Sequence, residues 1–255
     1  MKRLVARTRT LLRRTARLAV MLPFAALLSA VPFHAALAQS SPDLGTAGSF
    51  AVLGGTAVTL TSSAVIGDVG VDLGGAVTLT TSTIVGTVHE GDPVAVQAYD
   101  GFLAAYNALA DIGLECTGSL DTAYTDATLT LPPGVYCNTA AVTLTRTTLT
   151  LDAQGDPNAV WIFRIGTLGI GALTGTSFSV VMANDGQPCN VYWWVKDAAT
   201  MTDSNFTGNI LAGAATTFTR GSLIGRALAQ AGVTMTAGPA LLGCSSLVPP
   251  SVTCK

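Results

Sequence analysis

The feature that most constrains this chain is a repeat. Thr200-Met201-Thr202, Thr217-Phe218-Thr219 and Thr234-Met235-Thr236 recur every 17 residues. Other positions keep that step: Ser204, Gly221 and Gly238; Phe206, Leu223 and Ala240; Gly208 and Gly225; Leu211 and Leu228. Nearer the N-terminus, Gly55-Thr56-Ala57-Val58-Thr59-Leu60-Thr61 returns 19 residues later as Gly74-Gly75-Ala76-Val77-Thr78-Leu79-Thr80, and Val65-Ile66-Gly67 returns as Ile84-Val85-Gly86. A helical pair does not fit in so short a unit, and Thr-apolar-Thr has the two-residue period of a strand. Each repeat is therefore one coil of a β-solenoid. At about 3.3 Å per residue, a coil has a contour of roughly 56 Å, enough for three short strands. The predicted fold class is mainly β, with three-faced coils of about 17–19 residues and glycine at the corners.

Between the repeat blocks the period changes. Asp92-Pro93 pairs an N-cap with proline at the first helical position. Val94, Ala98, Phe102, Ala105 and Leu109 follow at helical spacing, and Gly113 can end the element. We expect one long amphipathic helix over about 92–112, its apolar stripe covering a solenoid face. The excursion over about 113–137, with Pro132-Pro133-Gly134, is suited to capping an open solenoid end.

Charge divides the chain. Of 13 Lys and Arg, seven lie within the first 38 residues (Lys2, Arg3, Arg7, Arg9, Arg13, Arg14 and Arg17), which hold no acid. An apolar run from Leu18 to about Val31 and the Ala36-Leu37-Ala38 end complete a secretory signal peptide, 1–38. Pro23, Pro32 and His34 make that run a poor membrane anchor. The exported chain then holds six basic residues against all 15 acids. That balance disfavours nucleic-acid partners and membrane insertion after signal removal. We expect one domain over 39–248, a tail over 249–255, a monomer, and a secreted or cell-surface location.

All five cysteines fall in the exported part, at spacings that match no zinc pattern. Disulfides suit that compartment. We pair Cys116 with Cys137 and Cys189 with Cys244, leaving Cys254 free or competing for Cys244. We expect no metal and no cofactor.

The chain resembles the microbial ice-binding proteins that combine a discontinuous right-handed β-solenoid with one long flanking helix. The residues carrying the resemblance span nearly all of 44–244. They include Leu44-Gly45-Thr46-Ala47-Gly48-Ser49-Phe50-Ala51-Val52-Leu53, Leu131-Pro132-Pro133-Gly134-Val135-Tyr136 and Gly155-Asp156-Pro157-Asn158-Ala159-Val160-Trp161-Ile162-Phe163. They continue with Cys189-Asn190-Val191-Tyr192-Trp193-Trp194, Gly208-Asn209-Ile210-Leu211-Ala212 and Gly225-Arg226-Ala227-Leu228-Ala229. The resemblance implies that the helix lets the chain return, stacking the N-terminal coil on the last C-terminal one and bringing Thr59/Thr61 beside Thr234/Thr236.

In each Thr-apolar-Thr unit the middle residue (Leu60, Leu79, Met201, Phe218, Met235) should face the core, and its neighbours the outside. Coils about 4.8 Å apart and alternate residues about 6.7 Å apart would array Thr59, Thr61, Thr78, Thr80, Thr200, Thr202, Thr217, Thr219, Thr234 and Thr236 as a flat, uncharged lattice. Methyls can order a cage of water, hydroxyls can anchor it, and stiff χ1 rotamers keep the array preorganised. With the resemblance, this points to an ice crystal surface as the partner. Threonine is also simply a good exterior strand residue. Thr128/Thr130, Thr143/Thr145 and Thr148/Thr150 repeat the pattern in the middle section, where Arg146 interrupts it, so the face is left open. The alternative is an adhesion or glycan-binding module on the same scaffold.

No catalytic residues are assigned. The exported chain keeps one histidine, His89, on which any Ser-His-Asp or Cys-His site would have to be built. The sequence holds no zinc-protease or phosphate-loop motif. A polysaccharide-degrading site needs carboxylates clustered on a strand face, whereas Asp152, Asp156, Asp185 and Asp203 read as turn residues. Arg164 and Arg226 read as partners of loop carboxylates. Trp161, Trp193 and Trp194, in apolar strands, read as core rather than as a sugar platform. Asn205-Phe206-Thr207 is a glycosylation sequon only in a host that reads it.

Overall fold

Thr-apolar-Thr strands can bury their middle residues only by stacking, and the computed structural model, which describes residues 40–111, 113, 115–237 and 240–244, contains eight stacked coils. The expected signal peptide, the C-terminal tail and Cys254 lie outside the described residues. Every ladder is parallel, and each coil gives one segment to each of three faces. Coils 1 to 3 are Ala123–Asn138, Val142–Ile165 and Leu173–Val195. Coils 4 and 5 are the long bent strands Ala199–Ala212 and Thr216–Ala229. Coil 7 runs from Ala57 to Val71 and coil 8 from Ala76 to Glu90.

Coil 6 is built from both ends of the domain. Gly232–Thr236 and Ala240–Leu242 supply its first two faces, and Phe50–Gly54 supplies the third. The return implied by the family resemblance is thus present: Thr234 pairs Thr59 and Thr236 pairs Thr61. Arg226 ties this seam from within, donating to Gly48 O and to Asn209 Oδ1 (2.8 Å). The Cys189–Cys244 disulfide joins the end of coil 6 to the entry of the third strand of coil 3, across 55 residues of sequence. Replacing both cysteines by serine is expected to cost roughly 2–4 kcal/mol, read as a lower melting temperature in calorimetry.

The inward positions are mainly apolar, with Thr216 a fully buried polar exception, and aromatic in the middle of the stack. Tyr136 stacks on Phe163 (5.3 Å), Phe163 on Trp193 (3.9 Å, 12° between planes), and Trp193 meets Phe206 at 5.0 Å. Trp161 and Trp193 are fully buried and Trp194 nearly so.

The helix α1, Pro93–Ala110, lies along the third face. Asp92 caps it, its Oδ1 accepting from Ala95 N at 2.9 Å. Ala98, Phe102, Ala105, Tyr106 and Leu109 pack on Leu53, Ile162, Tyr192, Trp194, Leu211 and Leu228. Val94, expected in this stripe, is 49% exposed. The stripe is centred one residue later, on Ala95 and Ala98, so Val94 falls on its flank. Arg226 departs from expectation, serving carbonyls rather than carboxylates. Arg164 donates to Ala110 O (2.9 Å), an orphan acceptor at the helix C-terminus, and also feels the charge of Asp111.

The two ends of the stack differ. At coil 1 the segment before it folds back. Cys116 is bonded to Cys137, Gly118 bridges Tyr136, Leu120 is buried, and Asn138 exchanges hydrogen bonds with the Leu120 backbone. At coil 8 no further coil follows among the described residues, and Leu79, expected in the core, is 45% exposed. Its direction is inward, but the stack ends there. Glu90 partly blunts that edge, its Oε1 accepting from Val77 N at 3.1 Å.

Candidate functional site: the threonine lattice

Parallel register converts the sequence repeat into columns. On the first face one column reads Ala123, Thr143, Thr174, Thr200, Thr217, Thr234, Thr59 and Thr78. The second reads Thr125, Thr145, Thr176, Thr202, Thr219, Thr236, Thr61 and Thr80, threonine on every coil. All ten threonines singled out from the repeat fall in these two columns. The residues between the columns are buried on coils 2 to 7, so the strands are held flat from beneath. Within the second column Thr219 Oγ1 and Thr236 Oγ1 are 3.4 Å apart.

Five further threonines complete the array. Thr143 and Thr145 belong to this face, whereas Thr128/Thr130 and Thr148/Thr150 lie on the second face. Thr174-Gly175-Thr176 escapes the Thr-apolar-Thr pattern because its centre is glycine. A Cβ on Gly175 would lie 2.6 Å from Met201 Sδ, so the neighbouring coil's methionine fills that space. Thr125 follows Tyr124 on the capped coil. Insertions at 153–160, 166–172 and 184–190 lengthen coils 2 and 3 and break the 17-residue step that would have revealed these rows.

Charge is kept to the border. Immediately after the second column each coil turns with a non-glycine residue at positive φ: Asp126, Arg146, Ser177, Asp203, Arg220, Ala237, Ser62 and Thr81. Left-handed backbone costs such residues about 1–2 kcal/mol. The next position offsets it in several coils: the Ser63, Thr147 and Ser204 hydroxyls, all buried, donate to the carbonyl two residues earlier. Arg146 therefore does not interrupt the lattice; at φ 46° it leaves the face and pairs with Asp126, Nε to Oδ1 at 2.6 Å. Arg220 pairs likewise with Asp203. Each carboxyl is held below the usual range by its guanidinium.

The remaining candidates resolve as structure. Asp152 accepts from Gln154 N and Asn184 Nδ2, and Asp156 from Asn158 N, as turn residues do. His89 Nδ1 is hydrogen-bonded to Asp92 Oδ2 at 2.8 Å, and its ring lies 5.4 Å from Phe50. Asp92 is held below the usual carboxylate range by the Ala95 amide first and by His89 second. Tyr106, whose hydroxyl donates to Lys196 O, is pushed up to about 12 by burial and then by Asp197. A lowered carboxyl contributes stability above its unfolded value of about 3.9, lost as pH falls through the folded value. A raised phenol contributes stability below about 10, lost as pH rises through the folded value. Thermal melts should therefore hold from about pH 5 to 9 and decline at both extremes.

Fold and site define a three-faced β-solenoid with a flat, uncharged hydroxyl-and-methyl lattice on one face and a helix bracing another. The chain matches the ice-binding-like family over residues 39–238 and belongs to it. An ice-binding protein of Nostoc sp. strain HG1 is 40% identical over 210 residues, covering 77% of this chain and 72% of that protein. Ice-binding protein 1 of Shewanella frigidimarina is 32% identical over 203 residues, 68% of this chain; the match spans only 22% of that longer relative. The crystal structure of an ice binding protein from an Antarctic biological consortium aligns with a TM-score of 0.71 at 32% identity, covering 80% of this chain and 92% of that one. Among the described residues, no helix is long and apolar enough to cross a membrane.

Proposed function

We propose that this chain is an exported, non-enzymatic, monomeric protein that adsorbs to ice through its first face and blocks growth or recrystallisation of the crystal. In this reading residues 1–38 direct export, 39–248 form the ice-binding domain, and 249–255 are a tail. The supporting observation is the pair of columns running the length of the stack, threonine everywhere but at Ala123, without a charged side chain. Each contact is weak, but a rigid array engages the crystal at many points at once, and avidity multiplies them. The relatives named for ice binding support the same reading. Charged or bulky residues punctuating the face would favour an adhesion or glycan-binding module, and the columns carry none.

The test is a recrystallisation assay on residues 39–255, folded and oxidised. Smaller crystals at micromolar protein are expected. No effect at that concentration would sink the proposal.

A further inference from the structure

The open end at coil 8 has a backbone pattern of its own. In an extended strand the N–H and C=O of one residue point to the same side, and successive residues alternate. On the first-face strand Ala76–Thr80, Thr80 O accepts from Ser62 N of coil 7. Thr78 and Thr80 therefore turn their backbone groups into the stack, and Val77 and Leu79 turn theirs to its end. Val77 N is taken by Glu90 Oε1 at 3.1 Å. Among the described residues no strand pairs with the side that Leu79 presents. The inward residues around it, Val77, Ile84 and Val88, continue buried positions of coil 7 and are apolar, with Leu79 45% and Val88 40% exposed.

A second copy, turned by a two-fold axis perpendicular to the first face, offers the same edge in antiparallel sense. Pairing Leu79 with Leu79 of the second copy uses amide and carbonyl reciprocally, as antiparallel strands do, and leaves Glu90 on Val77. In that register Thr78 stands opposite Thr80 of the second copy, and Thr80 opposite its Thr78. The alternative centred on Thr78 sets Val77 against Leu79, displaces Glu90 and places Thr80 against Ala76. The register that spares Glu90 is thus the one that carries both threonine columns across the junction. The axis also keeps the two lattices in one plane, facing the same way.

We infer that molecules adsorbed on one ice plane pair end to end through coil 8, each extending the other's lattice. The inference rests on the ice-binding reading of the first face. In solution the protein stays monomeric, because strands of five, three and three residues fall short of the roughly 20–30 residues a side of a stable interface. On the crystal both copies are already concentrated and oriented, so the second contact forms at high effective concentration. The other end of the stack cannot do this, since the segment bonded through Cys116–Cys137 folds back over coil 1.

The test places one fluorophore per molecule on the second face, at Thr83→Cys in coil 8 or at Thr128→Cys in coil 1, each in a Cys254→Ser background. Donor and acceptor batches of the same variant are mixed and adsorbed to ice. Pairing through coil 8 holds its labels within about 30 Å and coil 1 labels about 70 Å apart. Energy transfer at coil 8 is expected to exceed that at coil 1 several-fold at equal coverage, with both at background in solution. Adding Leu79→Lys puts an edge-guarding charge at the junction. It should bring coil 8 transfer down to the coil 1 level and raise the concentration needed for recrystallisation inhibition about two- to fivefold, with the melting temperature unchanged. Equal transfer from the two labels on ice would overturn the pairing and leave the ice face standing, as would undiminished transfer in folded Leu79→Lys. Transfer at coil 8 in free solution would mark a permanent dimer and overturn the dependence on ice. Slow amide exchange at Leu79 in the free protein would show the edge covered by the same chain, and overturns the pairing too. Failure of both labelled proteins to accumulate on ice would instead bring down the underlying reading, and the pairing with it.

Discussion

Thr217→Tyr is expected to raise the concentration needed for recrystallisation inhibition by about tenfold or more, with the melting temperature unchanged. Thr217 sits in the first column between Thr200 and Thr234, pointing away from the core. Tyrosine is a good strand residue, so the ladder has no reason to yield. Its phenol, however, rises several ångströms above the neighbouring methyls and prevents a flat crystal from seating on adjacent coils. The loss therefore exceeds that of one hydroxyl. Thr148→Tyr, on the second face, is the matched control and should keep full potency. Unchanged activity in Thr217→Tyr would exclude the first face and direct attention to Thr128, Thr130, Thr148 and Thr150.

The second large effect concerns stability. Trp193→Ala is expected to cost about 3–5 kcal/mol, lowering the melting temperature by on the order of 10 °C. Trp193 has no exposed surface, stacks flat on Phe163 and touches Phe206, so it links coils 2, 3 and 4. Its indole Nε1 also donates to Thr207 O at 3.1 Å, leaving that carbonyl short of a partner when the ring is removed. Because each coil contacts only its neighbours, the damage should be largest in hydrogen exchange of coils 2 to 4. A loss below about 1 kcal/mol would mean that the stacked ring carries little of the core energy.

Much of this was legible in the residues because a solenoid is a local code. Thr-Met-Thr at a fixed step gave strand, face and register together, and Asp92-Pro93 gave the helix start to within a residue. What the sequence hid was where periodicity and stacking part company. Thr174 and Thr176 lacked an apolar centre, since Met201 fills the space over Gly175. Leu79 carries the core pattern, but among the described residues its coil has no successor to cover it. Arg146 read as a break because a positive-φ corner cannot be seen in composition. Arg226 was misjudged for a related reason: its acceptor Gly48 O belongs to a segment remote in sequence.

Coil 6 bears on how the molecule is made. In an ordinary solenoid each coil can add to the one before it as the chain grows. Here Phe50–Gly54 is synthesised well before Gly232–Thr236 and Ala240–Leu242, with which it shares a coil. The two blocks of repeats can each form a partial stack, yet the threonine array stays in two pieces until Gly232–Thr236 arrives. Such distant pairing is slow to close. Potency should therefore appear late in refolding, after most of the strand signal has returned, as the two halves of the face lock into one register.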